Sequence, residues 1–431
     1  MATQAHTFEH ASAMPASTWH FLRANDATIE IPEGLAIAPD VRVSEASATC
    51  DDADAFDRAL ARIQEQWEIA HPAPTADEIA ERDAYRAAES DATYGGTAQS
   101  TYQANADAVE EARSLVAAFE HGTGEAVAAF LREMAGKRII VQAAPRETVA
   151  TTVVVTGAPD AISAAAIDVV ALRNSSVDVA LVIDGVNRNA QGDAAPNGGT
   201  VGLTGTTLRV FADEDARVRI VRMQTLDDGF ADIDDMGLFA HERARIEVSQ
   251  TILGATTTFT GLAGDLRGDS ARADVETHYL GHGDQSHDLN YSLRHHGTRS
   301  QCNLNANGVL AGRSSKTLRG TIDLIRGCKG SEGSERETVL LVDEDVRNKT
   351  VPVILCSEDD VAGNHGATIG HIREDQLFYL ESRGISRQDA EAMFVSATLE
   401  QAAIDAPIEE ARTAVLRLGE KLVPGFGELF D

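Results

Sequence analysis

Five of the thirteen histidines, His278, His282, His287, His295 and His296, fall between positions 278 and 296. That density invites a metal-site reading, because the neutral imidazole is a common metal ligand. Strand alternation would put His278 and His282 on one face. No His-x-His pair or neighbouring carboxylate completes a ligand set, so the preferred reading is polar, outward-facing strand positions. His365 stands apart, between Gly363 and Gly366. Its imidazole could ligate iron, with the second ring nitrogen oriented by a hydrogen bond. On residue types alone it reads better as a strand-end histidine beside glycines that permit a tight turn. Four cysteines, Cys50, Cys302, Cys328 and Cys356, lie far apart with no Cys-x-x-Cys pair. That spacing disfavours a disulfide framework or a self-contained zinc site. Cys302 and Cys356 read as small buried hydrophobes. Cys328, between Gly327 and Lys329-Gly330, reads as exposed and reactive. Gly312-Arg-Ser-Ser-Lys316-Thr317 has the wrong spacing for a nucleotide loop, and neither a Gly-x-Ser-x-Gly elbow nor a His-Glu-x-x-His motif occurs. Any ATP-driven work must come from a partner.

Acidic residues number 68 against 37 basic ones, for a formal net charge of −31 over 431 residues. A chain so acidic lacks the Lys/Arg footprint that phosphate-backbone binding needs. Only five of the cations are lysines. No apolar run approaches a membrane span, and the first thirty residues lack a basic segment followed by a hydrophobic one. The expectation is a soluble, cytosolic protein.

The elements that must position these groups fall into three zones. Residues 1–136 are Ala- and Glu-rich, and the spacing of Phe56, Leu60, Ile63 and Trp67 predicts a helix. Further helices are expected over Asp77 to Glu89, and over Ala104 to Met134 with a break at His121-Gly-Thr-Gly124. From Lys137 short β-branched runs take over, including Arg138–Val141, Thr151–Val155, Ala166–Leu172, Val177–Ile183 and Ala216–Met223, punctuated by Gly, Asn, Asp and Ser. Ala216-Arg-Val-Arg-Ile220, Ala244-Arg-Ile-Glu-Val248 and Ala271-Arg-Ala-Asp-Val275 recur at intervals of 28 and 27 residues. A near-constant interval predicts a solenoid, in which each rung buries its inner face only by stacking on its neighbours. A sandwich or barrel would not obviously give that interval. Helices return after residue 371. One is expected from Glu374 to Glu381, stopped at Arg383-Gly384. A second is opened by Ser386-Arg-Gln-Asp389, with Ala390, Met393, Phe394 and Ala397 on one face. A third spans roughly Ile408 to Lys421.

Residues 363–385, from Gly-Asn-His-Gly-Ala-Thr-Ile-Gly-His through the helix to Arg383-Gly-Ile, closely resemble the junction between β-helix and C-terminal helices in the SufB/SufD family of iron–sulfur cluster scaffolds. Met14-Pro-Ala-Ser-Thr-Trp-His-Phe-Leu-Arg resembles the start of D-type members less closely, and Leu293-Arg-His-His-Gly-Thr-Arg-Ser resembles their His-rich stretch near the dimer interface. The resemblance implies a mainly β fold: a right-handed parallel β-helix over 137–371, with helical regions at 1–136 and 372–431. It also reverses the reading of His365, which would occupy the position where a D-type member offers an imidazole to the nascent cluster. Three departures sharpen this. Gly363 stands where D-type members often carry a cysteine, Gly366 replaces the acid that follows the histidine in B-type members, and Glu337 stands at the position of the essential B-type cysteine. The chain is thus expected to be a non-catalytic D-type subunit. It would pair with a B-type paralogue through an exposed sheet edge and bind an ABC-type ATPase (SufC-like) through residues 372–421. A transient iron–sulfur cluster would be shared with the partner, with none tightly held by the isolated chain. The sequence leaves flavin binding open.

The alternative is a β-helical carbohydrate-active or sugar-binding protein. Asp227-Asp228 and Asp234-Asp235 could supply its carboxylate pair. An aromatic content of 5% and the missing secretion signal weigh against it.

Overall fold

Short strands separated by tight turns, each apolar on one side, bury that side by winding two sheets against each other. In the computed structural model, which describes residues 2–16, 24–44, 49–50, 52–70, 119–187, 202–423 and 425–427, the strand-rich zone is a parallel β-solenoid of about eight turns, and the molecule is mainly β. Five strands precede it: β1 (His6–Ala11), β2 (Ala27–Ile31), β3 (Ala36–Ile37), β4 (Val41–Ser44) and β5 (Thr49–Cys50). The solenoid opens with β6 (Arg138–Ala143), β7 (Thr148–Gly157), β8 (Ala161–Ala171), β9 (Ser176–Gly185), β10 (Gly202–Ala212), β11 (Arg217–Leu226), β12 (Phe230–Ala240) and β13 (Arg245–Ile252). It continues with β14 (Thr257–Leu266), β15 (Arg272–Gly281), β16 (Ser286–His295), β17 (Gln301–Leu310), β18 (Ser315–Leu324), β19 (Ser331–Leu341), β20 (Arg347–Cys356) and β21 (Val361–His371).

Even-numbered strands from β6 to β20 stack in one sheet and odd-numbered strands from β7 to β21 in the other, so each turn contributes one strand to each. The sequence repeat is a structural register. Arg217 lies opposite Arg245, which lies opposite Arg272. The alanine before each arginine is fully buried, and Val218, Ile220, Ile246, Val248, Ala273 and Val275 fill the space between the sheets. Burying each such valine or isoleucine contributes about 1.5–3 kcal/mol. The turns entering the odd-numbered strands stack too. Arg146, Asn174, Asp215, Arg243, Ser270 and Arg299 all take positive φ, between 54° and 69°. The cost of that conformation in non-glycine residues is met by a ladder in which each amide donates to a carbonyl one turn on, as from Asp215 to Glu242 and from Arg243 to Asp269.

The two ends of the stack differ. At the first, β4 pairs antiparallel with β7 and β5 antiparallel with β6. The N-terminal zone is therefore not simply helical, since part of it caps the solenoid. The hairpin β1–β2 and helix α2 (Glu125–Ala135) cover the outer face of the even-numbered sheet, packing Phe8, Ile29, Val127 and Leu131 against Ile162, Ala164 and Leu203. At the last end, among the described residues, β20 and β21 each have a neighbour on one side only.

Helix α1 (Ala55–Ala70) forms where predicted and buries Phe56 and Ile63, within a separate compact unit of residues 54–119. The helix expected over Asp77 to Glu89, residues 104–118, positions 17–23 and the side chains of Trp67 and Cys50 lie outside the described residues. C-terminally, α3 (Glu374–Glu381), α4 (Arg387–Asp405) and α5 (Glu409–Leu422) match the expected helices. Gly384 stops α3 at φ 86°, and Ser386 Oγ accepts the Asp389 amide of α4 at 3.1 Å. The apolar face of α4 is rotated from the predicted one: Ala390, Ser396, Leu399, Ala402 and Ala403 are buried, whereas Met393 is 53% exposed. Leu399 and Ala402 of α4, with Val415 and Leu418 of α5, pack on Val182, Met223, Leu253 and Leu280 of the odd-numbered sheet. Arg417 donates to Asp184 at 2.7 Å, and Lys421 lies 2.7 Å from Asp227. No described helix is long and apolar enough to cross a membrane.

Candidate functional site

His365 lies in the middle of β21, not at a strand end, because the strand runs on through Gly370 to His371. Residues 362–369 are all exposed. Among the described residues the His365 imidazole makes no hydrogen bond or ion pair. Glu335 of β19 is its direct ladder partner, and Gly333 pairs with Gly363, Glu337 with Ala367. Directly paired residues share a face. A Cβ at Gly363 would meet Ile354 and Leu324, and one at Gly333 would meet Ile322 and Cys302. His365 therefore belongs to the column that points between the sheets, at the end where the stack stops.

Below it the interior turns from apolar to polar. In the first turns the space between the sheets holds Val153, Val155, Ile167, Val169, Val179 and Leu181. Further along, one register column of the even-numbered sheet reads Thr204, Asp232, Thr258, His287, Lys316, Asn348. A facing column of the odd-numbered sheet reads Arg222, Gln250, Thr277, Ala306, Glu337, Ala367. Arg222 is fully buried, 2.6 Å from Asp232 and 3.2 Å from Asp234. Burial works against its charge, but the two aspartates outweigh this and its pKa is raised. Burial also lifts Asp234 to about 6, against the pull of Arg222. One turn from the end, Lys316 is ion-paired to Glu337, which accepts from Thr350 Oγ1 at 2.5 Å and from the Tyr279 hydroxyl at 3.3 Å. Lys316 and Glu337 are each 1% exposed. Burial lowers the Lys316 pKa, and Glu337 opposes the shift. Charges so deeply buried persist only when paired and hydrogen-bonded. Glu337, expected at a cysteine position, is thus a structural anion neutralised by a lysine.

Glu335 is treated differently. It is 5% exposed, and its Oε2 has no hydrogen-bond partner. Burial first, then repulsion by Glu337, lifts its pKa to about 7, with Lys316 opposing. Its carboxylate lies over Gly320, where an added Cβ would sit 2.1 Å from Oε1. Composition and motif spacing gave no sign of Glu335; only the solenoid register places it beside His365.

The His-rich stretch is not one site. His278 points outward, 3.4 Å from Glu276. His287 and His295 were expected outward but face the interior, each at about pKa 4 because burial penalises the imidazolium. His295 Nδ1 is hydrogen-bonded to Ser300 Oγ at 2.7 Å, and its Nε2 lies 3.1 Å from Cys302 Sγ. His296 is held by Asp265 at 2.8 Å, and His282 lies 3.0 Å from the Gln285 side-chain nitrogen. Among the described residues no group of three or more His, Cys, Asp or Glu could hold a metal ion. The cysteine expectations split. Cys302 is buried with its pKa pushed to about 12, but Cys328 is also buried, at about 11, whereas Cys356 is exposed. Burial raises both thiols, so Cys328 is not the reactive group its flanking residues suggested.

Nor do the paired acids converge. Asp234 points inward to Arg222, while Asp235 points outward and accepts from the Thr123 amide at 2.9 Å, 2.6 Å from His121 Nδ1. Gly122 meets Gly261 so closely there that a Cβ on either would clash with backbone at 2.0–2.3 Å. Asp227 binds Lys421, whereas Asp228 accepts from Gln285 at 2.9 Å. Asp234 and Asp235 are adjacent strand residues and face opposite ways, and Asp227 and Asp228, in the turn between β11 and β12, are engaged by separate partners, so neither pair forms a two-carboxylate site.

Comparison with known proteins points to one family. Residues 153–398, more than half the chain, match the family model for the SufBD core domain of the SUF iron–sulfur cluster assembly system. An iron–sulfur cluster assembly SufBD family protein of Mycobacterium leprae is 29% identical over 228 residues, covering 51% of this chain and 25% of the relative. The iron–sulfur cluster assembly protein SufD of Bacillus subtilis is 25% identical over 215 residues, covering 50% of this chain and 49% of its own length. A SufBD family protein of Staphylococcus epidermidis is 24% identical over 221 residues, with 51% and 48% covered. The chain thus spans about half or less of the curated relatives it matches.

Proposed function

This chain belongs to the SufBD family of the SUF iron–sulfur cluster assembly system, and on that premise we propose that it is a non-catalytic, D-type scaffold subunit. The observation that carries this reading is the open edge strand β21, exposed along its length and presenting His365 at the end of an otherwise capped stack. A long exposed edge is a template for another strand. A B-type paralogue is the partner that would fill it, with its cysteine and His365 together holding the nascent cluster. The cluster is cargo, and several ligands from two chains suit iron–sulfur chemistry better than one imidazole. Glu337, an acid already neutralised by Lys316, supports the D-type assignment because the cysteine expected of a B-type subunit is absent from that position. The C-terminal helices would receive the ABC-type ATPase. Phe378, Tyr379 and Met393 stand 72%, 55% and 53% exposed there, an apolar patch suited to a partner.

The test is anaerobic reconstitution of the complex with iron and sulfide. His365→Ala is expected to leave assembly of the subunits intact and to lower cluster yield by about tenfold or more, since losing even an outer-shell partner of a metal ligand costs about 10–100-fold. Wild-type yield from the variant complex would rule out the ligand role.

A further inference from the structure

We infer that Glu335 is a second iron-binding side chain, which with His365 seats a ferrous ion at the open end of the solenoid. This rests on the reading of His365 as a ligand and adds the chemical form of the cargo. The two residues are directly paired on neighbouring strands, about 4.8 Å apart at the backbone, with side chains on the same face. His365 is thereby stacked one strand beyond Glu335 on the same face, while the Glu335 carboxylate itself packs against Gly320 of the opposite sheet.

The interior holds two acids at this level, and they are not equivalent. Glu337 has a lysine, a threonine hydroxyl and a tyrosine hydroxyl as partners. Among the described residues Glu335 has no basic side chain paired with it, and its Oε2 is buried without a hydrogen-bond partner. A buried carboxylate lacking a cation is costly to hold. The carboxylate rests in the space left by Gly320, where an added Cβ would force it to move. A divalent cation would supply the missing charge; it would meet His365 first, in the exposed run 362–369 of β21, with Glu335 buried beneath it.

Ligand chemistry selects the ion. Imidazole with carboxylate suits ferrous iron and similar divalent first-row metals, whereas softer ions favour thiolates. The two described buried thiols, Cys302 and Cys328, are closed off from an entering ion. Two protein ligands leave the remaining coordination positions open for groups from a partner. The step is binding alone, with no electron transferred.

The probe is Co(II), which reports its own coordination in the visible spectrum, titrated into the isolated full chain, followed by anaerobic Fe(II) competition against a chromogenic chelator. The wild-type chain should bind one ion. Glu335→Gln and His365→Ala should each weaken binding at least tenfold, and Glu335→Asp, which withdraws the carboxylate by one methylene, should fall between wild type and Glu335→Gln. The isosteric glutamine removes a buried charge, so its urea midpoint should equal or exceed that of wild type. If Glu335→Gln binds Co(II) as wild type does while His365→Ala does not, the inference fails and the His365 reading stands. If wild type binds no Co(II) or Fe(II) up to millimolar concentration, or neither substitution matters, the inference also fails. Cluster reconstitution of the His365→Ala complex then judges the parent reading separately.

Discussion

The two ends of the solenoid solve the same problem in opposite ways. Every stack of rungs leaves its terminal strands with unpaired backbone donors and acceptors. At the first end the chain covers them itself, laying β4 on β7 and β5 on β6, over an interior of valine, isoleucine and leucine. At the last end β21 stays bare and the interior becomes ionic, with Lys316, Glu337, Glu335 and His365 in the final turns. A purely structural repeat has no reason for this asymmetry. Completion of the last end by another chain, as proposed above, would account for it.

The largest effect should come from blocking the open edge. Ala367→Arg on β21 places a long charged side chain in the exposed inner column, and is expected to weaken co-purification with a B-type paralogue at least a hundredfold, about 2.7 kcal/mol or more. Arg42→Ala on the capping strand β4 should leave partner affinity at the wild-type value. Equal losses from both would remove the distinction between the ends.

Next comes the ionic interior. Lys316→Met leaves Glu337 buried without its cation and should cost about 3–5 kcal/mol in urea unfolding. Adding Glu337→Leu should recover most of that loss, since a buried ion pair is often replaceable by apolar side chains. A cost below about 1 kcal/mol for the single variant would mean that water reaches the pair, and that the late turns are not a closed interior.

A smaller, pH-dependent effect should appear within the polar half. His287 and His295 titrate near 4 when folded and near 6.5 when unfolded. The unfolded chain therefore binds more protons between these values. Their contribution is full above pH 6.5 and is lost as pH falls toward 4, by about 2–3 kcal/mol for each histidine. Glu335 acts oppositely, because its folded pKa near 7 exceeds the ordinary carboxylate value. Its protonated form favours the fold, and that advantage disappears as pH rises from about 4.5 through 7. Chemical denaturation across this range should show a flatter acid limb for His287→Leu than for wild type, and an unchanged limb would place His287 in contact with solvent.

The strand zone was legible because its signals are local. β-Branched runs, turn residues and the Ala-Arg repeat all reflect a periodic backbone, and the repeat proved to be the ladder register itself. Helix ends were legible for the same reason, since Ser386 and Gly384 act on the residues next to them. Cys328, Cys356, His287 and His295 were misplaced because their burial depends on which rung stacks above, which flanking residues do not report. Met393 was assigned to the wrong face of α4 because a short amphipathic pattern fits more than one rotation, and docking on the solenoid chose between them.

The sequence by itself determined the periodic scaffold, the family to which the chain belongs and the single histidine worth following. Tertiary structure alone decided that His365 sits above Glu335, that Glu337 is already neutralised, and that one end of the stack is covered and the other bare. The physical reason is range. Strand and turn preferences act over a few residues, whereas neighbouring positions in a solenoid lie about thirty residues apart in the chain and meet only when the rungs stack.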